Sequence, residues 1–217
     1  GRFHDPKRRR LRVSLTALAA LAAVCAAAAL YLWGIPGIAS VVAPHVPVSW
    51  EERLGRAVSD QLAPAEKRCA EPTRLDAIQA ITTTLTSAAK TSPYTFRVVV
   101  LDTPSINALA TPGGHVVVFR GLLERTESAE ELAGVLAHEF QHVLLQHATR
   151  ALLRHASTGI LLAAVSGDVS GAMTYGLEGA RILAELRYSR QDEEEADREG
   201  YRMLMAAGVD PAGDSEE

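Results

Sequence analysis

The sequence predicts an α+β fold, mainly helical with a small β-sheet, behind an amino-terminal transmembrane helix. Three observations lead there. Residues 13–33 are apolar or small without exception for charge. Long stretches after residue 49 place apolar residues at helical spacing. Between them lie short β-branched runs bounded by Gly and Pro. The chain has 217 residues, enough for one ordinary domain plus an appendage. A hydrophobic fraction of 47% excludes a disordered chain, and 22% charged residues exclude a multi-span membrane protein. Two cysteines, Cys25 and Cys69, make no disulfide scaffold and are not expected to pair.

The net charge of −4 hides an asymmetry. Six basic residues against Asp5 alone give the first 12 residues +5, which leaves −9 for the rest. The near-neutral total argues against nucleic acid as a partner. Residues 1–12 read as a basic cytoplasmic segment and 13–33 as the anchor. As a helix that anchor is about 31 Å long, enough to cross the hydrocarbon core. Tyr31 and Trp33 at its far end suit the headgroup layer, and membrane lipid is the implied partner. A cleavable signal peptide is the competing reading, but the apolar run exceeds the usual length of one. Either way the following domain is exported. Residues 34–48 read as a Pro- and Gly-punctuated connector along the membrane surface, and 49–217 as the domain.

Within the domain, Ser49 can cap a first helix and Pro72 can open a second, with Leu75, Ile78, Ile81 and Leu85 at helical spacing. Residues 95–101 (TFRVVVL) read as a strand, 107–111 as another, then Pro112-Gly113-Gly114 as a turn into the strand His115–Phe119. A short helix over 121–125 follows. Ser128 and Glu131 form a capping box that starts a long helix. The apolar stretch 156–175 reads as two short helices around a turn, either in the core or facing the membrane. A last helix spans Arg190–Ala207 and ends at Gly208.

The long helix carries His138-Glu139-Phe140-Gln141-His142. Positions i and i+4 share a helix face, so His138 and His142 can aim two imidazoles at one metal ion. Glu139, about 100° round, reaches a water beside the metal rather than the metal itself. Three features of context set this HExxH string apart from a chance occurrence. It lies within a well-signalled amphipathic helix. It follows a short sheet, as in a zincin. A third ligand is available downstream, in the segment from Tyr188 to Asp197.

HExxH followed by Ser189-Arg190-Gln191-Asp192-Glu193-Glu194-Glu195-Ala196-Asp197, an SRxxExxAD pattern, resembles the membrane-linked zinc metallopeptidases that include the CAAX prenyl protease, HtpX and BepA. Residues 107–123 also resemble that family's strand before the zinc helix. The resemblance implies a zincin-type metalloprotease domain binding Zn2+ through His138, His142 and Glu193, with Glu139 as the catalytic general base. Asp197, four residues beyond Glu193, would accept a bond from a ligand imidazole. Glu194 and Glu195 are expected on a solvated acidic face, with ligation by Glu194 as the minor alternative. Ser189 and Arg190 are expected to set local structure. His147, His155, His115, His45 and His4 are expected to be non-ligands, His147 because it falls some 140° off the metal face. The resemblance also makes His115, Val116, Val117, Val118 and Phe119 the cleft-edge strand that would bind an extended polypeptide substrate.

With one span and a soluble domain, the chain looks closer to the periplasmic BepA-like branch. The implied protein is a single-pass inner-membrane zinc metalloendopeptidase with its domain on the periplasmic side, acting in quality control of misfolded envelope proteins. A zinc-binding chaperone and a latent protease awaiting a partner are the alternatives. Family members usually continue with further helices after an Asp-Pro like Asp210-Pro211.

Overall fold

The computed structural model of the chain describes residues 6–89, 92–166 and 188–210. The eight helices of those residues are α1 (Pro6–Ala29), α2 (Ile35–Val42), α3 (Val48–Leu62), α4 (Pro72–Ala88), α5 (Arg120–Leu123), α6 (Ala129–Leu144), α7 (His147–Ser166) and α8 (Arg190–Ala207). The strands are β1 (Arg97–Leu101), β2 (Ala108–Thr111) and β3 (His115–Phe119). The mainly helical α+β class is the one the sequence predicts.

Helical structure runs from α1 into α2 without an irregular break. A π-helical turn, Leu30–Gly34, joins them, and the Ile35 N–H reaches back to the Leu30 carbonyl. Pro36 has no N–H to return to the preceding turn, and a widened turn just before it absorbs that deficit. The connector is therefore helical rather than an irregular surface segment. The helical stretch Arg9–His45 is long and apolar enough to cross a membrane, and its most apolar 18 residues have a mean hydropathy of 2.3. Leu15, Leu18, Leu21 and Val24 stand exposed along it, as a lipid-facing helix requires. Its far end differs: Ile35, Ala39 and Ala43 are buried, and α2 packs against α7.

Two local starts differ from expectation. Pro47, not Ser49, caps α3, and no side chain closes that end. At α6 the Ser128 hydroxyl accepts from the Glu131 N–H, but the Glu131 carboxylate accepts from the Glu127 N–H rather than from Ser128. The 156–175 stretch enters as part of the single helix α7; the second helix expected there lies outside the described residues.

The sheet order is β1-β3-β2, with β1 parallel and β2 antiparallel to β3. His115–Phe119 is thus the central strand, which corrects its reading as a cleft edge. Val116, Val117 and Val118 are fully buried, and both sides of their backbone are already paired. The turn between β2 and β3 requires glycine: Gly113 and Gly114 have φ of 73° and 93°. The main core lies between the sheet, α4, α6 and α8, and includes Leu85, Val100, Leu136, Phe140 and Leu204. Phe96 and Phe140 meet there with ring centroids 4.2 Å apart.

Candidate metal centre

Two helices supply the site. α6 carries His138, Glu139 and His142, and its apolar face, with Leu136 and Phe140 fully buried, fixes its rotation. α8 carries Glu193 and Asp197. Its start is fixed by a complete capping box, in which the Ser189 hydroxyl accepts from the Asp192 N–H and the Asp192 carboxylate accepts from the Ser189 N–H. Ser189 thus sets local structure, and Glu193 falls in the first turn. The helices touch where Gly200 faces His138: a Cβ at Gly200 would sit 3.2 Å from the His138 nitrogen. A larger residue would push α8 away from the ligand helix.

The structure brings His138, His142 and Glu193 together, with their ligand atoms within 4.8 Å of one another. The two Nε2 atoms are 3.0 Å apart. Glu193 Oε2 lies 3.4 Å from His138 Nε2, and Oε1 lies 3.9 Å from His142 Nε2. Tetrahedral zinc with bonds near 2.0–2.1 Å needs donors roughly 3.3 Å apart, so this donor set fits zinc. The Nδ1 atoms are engaged elsewhere. His138 Nδ1 lies 2.8 Å from Asp197 Oδ1, and His142 Nδ1 lies 2.8 Å from His147 Nδ1. Both imidazoles can therefore carry their proton on Nδ1 and turn a bare Nε2 to the metal position.

Burial, helped by the neighbouring His138 and His147, lowers the His142 pKa to about 3, so the ring is neutral at physiological pH. Burial pushes Glu139 up to about 7, with Glu193 adding to the rise and His138 opposing it. The Ala110 backbone N–H donates to the Glu139 carboxylate and favours its ionised form. This bond ties the general-base candidate to strand β2. The Tyr188 ring stacks on His142 at 4.0 Å between centroids and 16° between planes. Burial raises the Tyr188 pKa, and Glu139 and Glu193 add to it, so its hydroxyl stays protonated.

His147 and Glu195 take places that sequence spacing did not foresee. α6 ends at Leu144, and Gln146 adopts φ 55°, which resets the helical phase before α7 begins. His147 therefore sits behind His142 instead of turning off the metal face. Its Nε2 lies 3.3 Å from Glu195 Oε2 and 3.7 Å from Asp192 Oδ1. Glu195 thus points inward, half-buried, and only Glu194 of the neighbouring pair is exposed. His115 is buried at the head of β3, and its Nε2 has no partner.

β1 and β2 are the two edge strands of the sheet among the described residues, and β2 is the one that packs against α6. Phe119 N–H bonds Asn107 C=O, which makes 107 and 119 a hydrogen-bonded pair. By alternation, Ala108 and Ala110 direct their N–H and C=O groups away from β3. Ala110 uses its N–H on Glu139, so this edge borders the candidate metal centre.

Residues 72–214 match Peptidase family M48. The chain belongs to that family. Its members are in general zinc-dependent, in agreement with the donor set above. Among curated proteins, the chain is 27% identical over 188 residues to the Beta-barrel assembly-enhancing protease of Escherichia coli, covering 82% of this chain and 38% of that protein. It is 32% identical over 116 residues to the Mitochondrial metalloendopeptidase OMA1 of Arabidopsis thaliana, covering 54% and 24%. It is 34% identical over 121 residues to the Metalloendopeptidase OMA1, mitochondrial, of Bos taurus, covering 51% and 23%. The chain spans well under half the length of each of these relatives.

Proposed function

We propose that this M48 member is a membrane-anchored zinc endopeptidase that cleaves extended segments of misfolded envelope proteins. The observation that carries the reading is the convergence of His138, His142 and Glu193 beside the Glu139 carboxylate and an unpaired strand edge. Zinc held by His138, His142 and Glu193 would supply a Lewis acid to polarise the scissile carbonyl and acidify a water. Glu139 takes the proton of the attacking water and delivers it to the leaving amine. A pKa near 7 suits both transfers.

The substrate-binding edge in this reading is β2, in place of His115–Phe119. An extended polypeptide can pair with the outward N–H and C=O of Ala108, which selects backbone shape over side-chain identity. The basic residues 2–12 hold the amino terminus in the cytoplasm, so the domain lies on the periplasmic side of a single span. The name of the bacterial relative, Beta-barrel assembly-enhancing protease, agrees with an envelope substrate.

Purified full chain in detergent is expected to cleave an unfolded protein, to stop with a zinc chelator, and to resume when zinc is restored. Cleavage that persists in a fully metal-free preparation would contradict the reading.

A further inference from the structure

His147 is buried, is unused by the mechanism above, and faces a zinc ligand on one side and two carboxylates on the other. Its position is held from a distance. The left-handed Gln146 that precedes it donates to Glu51 on α3, with 3.2 Å to each carboxylate oxygen. Glu51 is 1% exposed and also accepts from Tyr94, at 2.6 Å, and from Thr149. Arg150 donates to the Leu145 carbonyl at 3.0 Å and so closes the end of α6. The turn that delivers His147 is thus pinned on both sides.

Proton accounting then limits what His147 can do. The 2.8 Å contact between His142 Nδ1 and His147 Nδ1 holds one proton. If His147 owned it, neutral His147 would present a bare Nε2 to Glu195 and Asp192, acceptor against acceptor. His142 would then carry its own proton on Nε2, where the metal must bind. A doubly protonated His147 would impose the same blocked tautomer on His142. If His142 owns the proton, every group is satisfied. His147 Nε2–H donates to Glu195, His147 Nδ1 accepts, and His142 Nε2 is bare.

His147, Asp192 and Glu195 could in principle hold a second metal ion. The surrounding charge opposes it, because Arg150 lies 3.7 Å from Glu195 and Arg154 lies 3.5 Å from Asp192. A metal on His147 Nε2 would also take the proton-donor role from that atom.

We propose that His147 is a positioning residue for the metal centre: backed by Glu195 and Asp192, it accepts the Nδ1 proton of His142 and holds that ligand in its metal-binding tautomer. The inference rests on the zinc reading of His138, His142 and Glu193. It is tested on the full chain in detergent by zinc affinity, from chelator competition, for wild type, His147→Phe and His147→Asn. The Phe variant lacks an acceptor and should bind zinc about 10–100-fold more weakly. The Asn variant places an amide oxygen near the Nδ1 position and should restore affinity to within about threefold of wild type. The nitrogen shifts of histidine-labelled, zinc-loaded wild type should show His147 protonated on Nε2, a readout that needs no variant to fold. A Phe variant that binds zinc like wild type overturns the inference alone, as does an Asn variant as weak as Phe or a His147 protonated on Nδ1. Two zinc ions per wild-type chain and one in the Phe variant would make His147 a ligand and overturn it as well. A wild type that binds no zinc overturns the zinc reading and this inference with it.

Discussion

In the proposed mechanism, Glu139 is the residue whose ionisation the chemistry depends on. Burial is the main cause of its rise to about 7, and a base must be ionised to act. The sign follows: the carboxyl is protonated below its pKa, so activity is lost as pH falls through it. A bound cation draws the pKa down, so the acid limb of kcat/KM should lie at or somewhat below 7, with a slope of one proton. A profile with no acid limb down to about pH 4, the ordinary carboxylate range, would remove Glu139 from the role of base. His138 and His142 were legible because their i, i+4 relation is a local property of one helix. Glu193 needed the SRxxExxAD resemblance, since 50 residues separate it from His142 and only tertiary packing joins them. His147 was not legible. Its angle was extrapolated along a helix that in fact ends at Leu144, and the left-handed residue that resets the phase is a glutamine, which gives no turn signal. Glu195 was not legible as an inward residue, because what draws it inward, His147 and Arg150, is joined to it only by tertiary packing.

At the scale of elements, periodicity located all three strands but could not order them. Strand order is a long-range property: the resemblance implies a cleft edge at His115–Phe119, whereas pairing on both sides makes that strand central. One signal pointed the other way: Val116-Val117-Val118 is unbroken by a polar residue, as expected of a strand covered on both faces. β2 is the edge strand beside α6, and in the proposed reading Ala108 is where a substrate backbone would pair. Ala108→Pro removes an N–H that bonds nothing in the sheet, so edge placement should tolerate it. The variant should retain zinc and thermal stability while kcat/KM on unfolded substrate falls by about tenfold, the loss of one backbone hydrogen bond of about 1.4 kcal/mol. Unchanged kcat/KM would move the substrate off this edge. The amino-terminal helical stretch shows the same limit on local reading. Gly34, Pro36 and Gly37 looked like punctuation, yet a π turn carries the helix through them, and the buried face of α2 is supplied by α7.

For the whole molecule, the anchor is continuous with a helix that packs on the domain. α2 rests on α7, and α7 begins at His147, the histidine behind His142. The basic amino end predicts the orientation: in spheroplasts of a Gram-negative host, added protease should reach the domain, and in intact cells it should not. A domain protected in spheroplasts would reverse the topology. The central claim is that one metal held by two helices, with one carboxylate beside it, hydrolyses peptide bonds. It is tested most directly by zinc content and cleavage of an unfolded protein, measured side by side for wild type and Glu139→Gln. The account predicts one zinc ion in each and a loss of cleavage of at least about 100-fold in the variant. Equal cleavage by the two proteins, at equal zinc content, would contradict it.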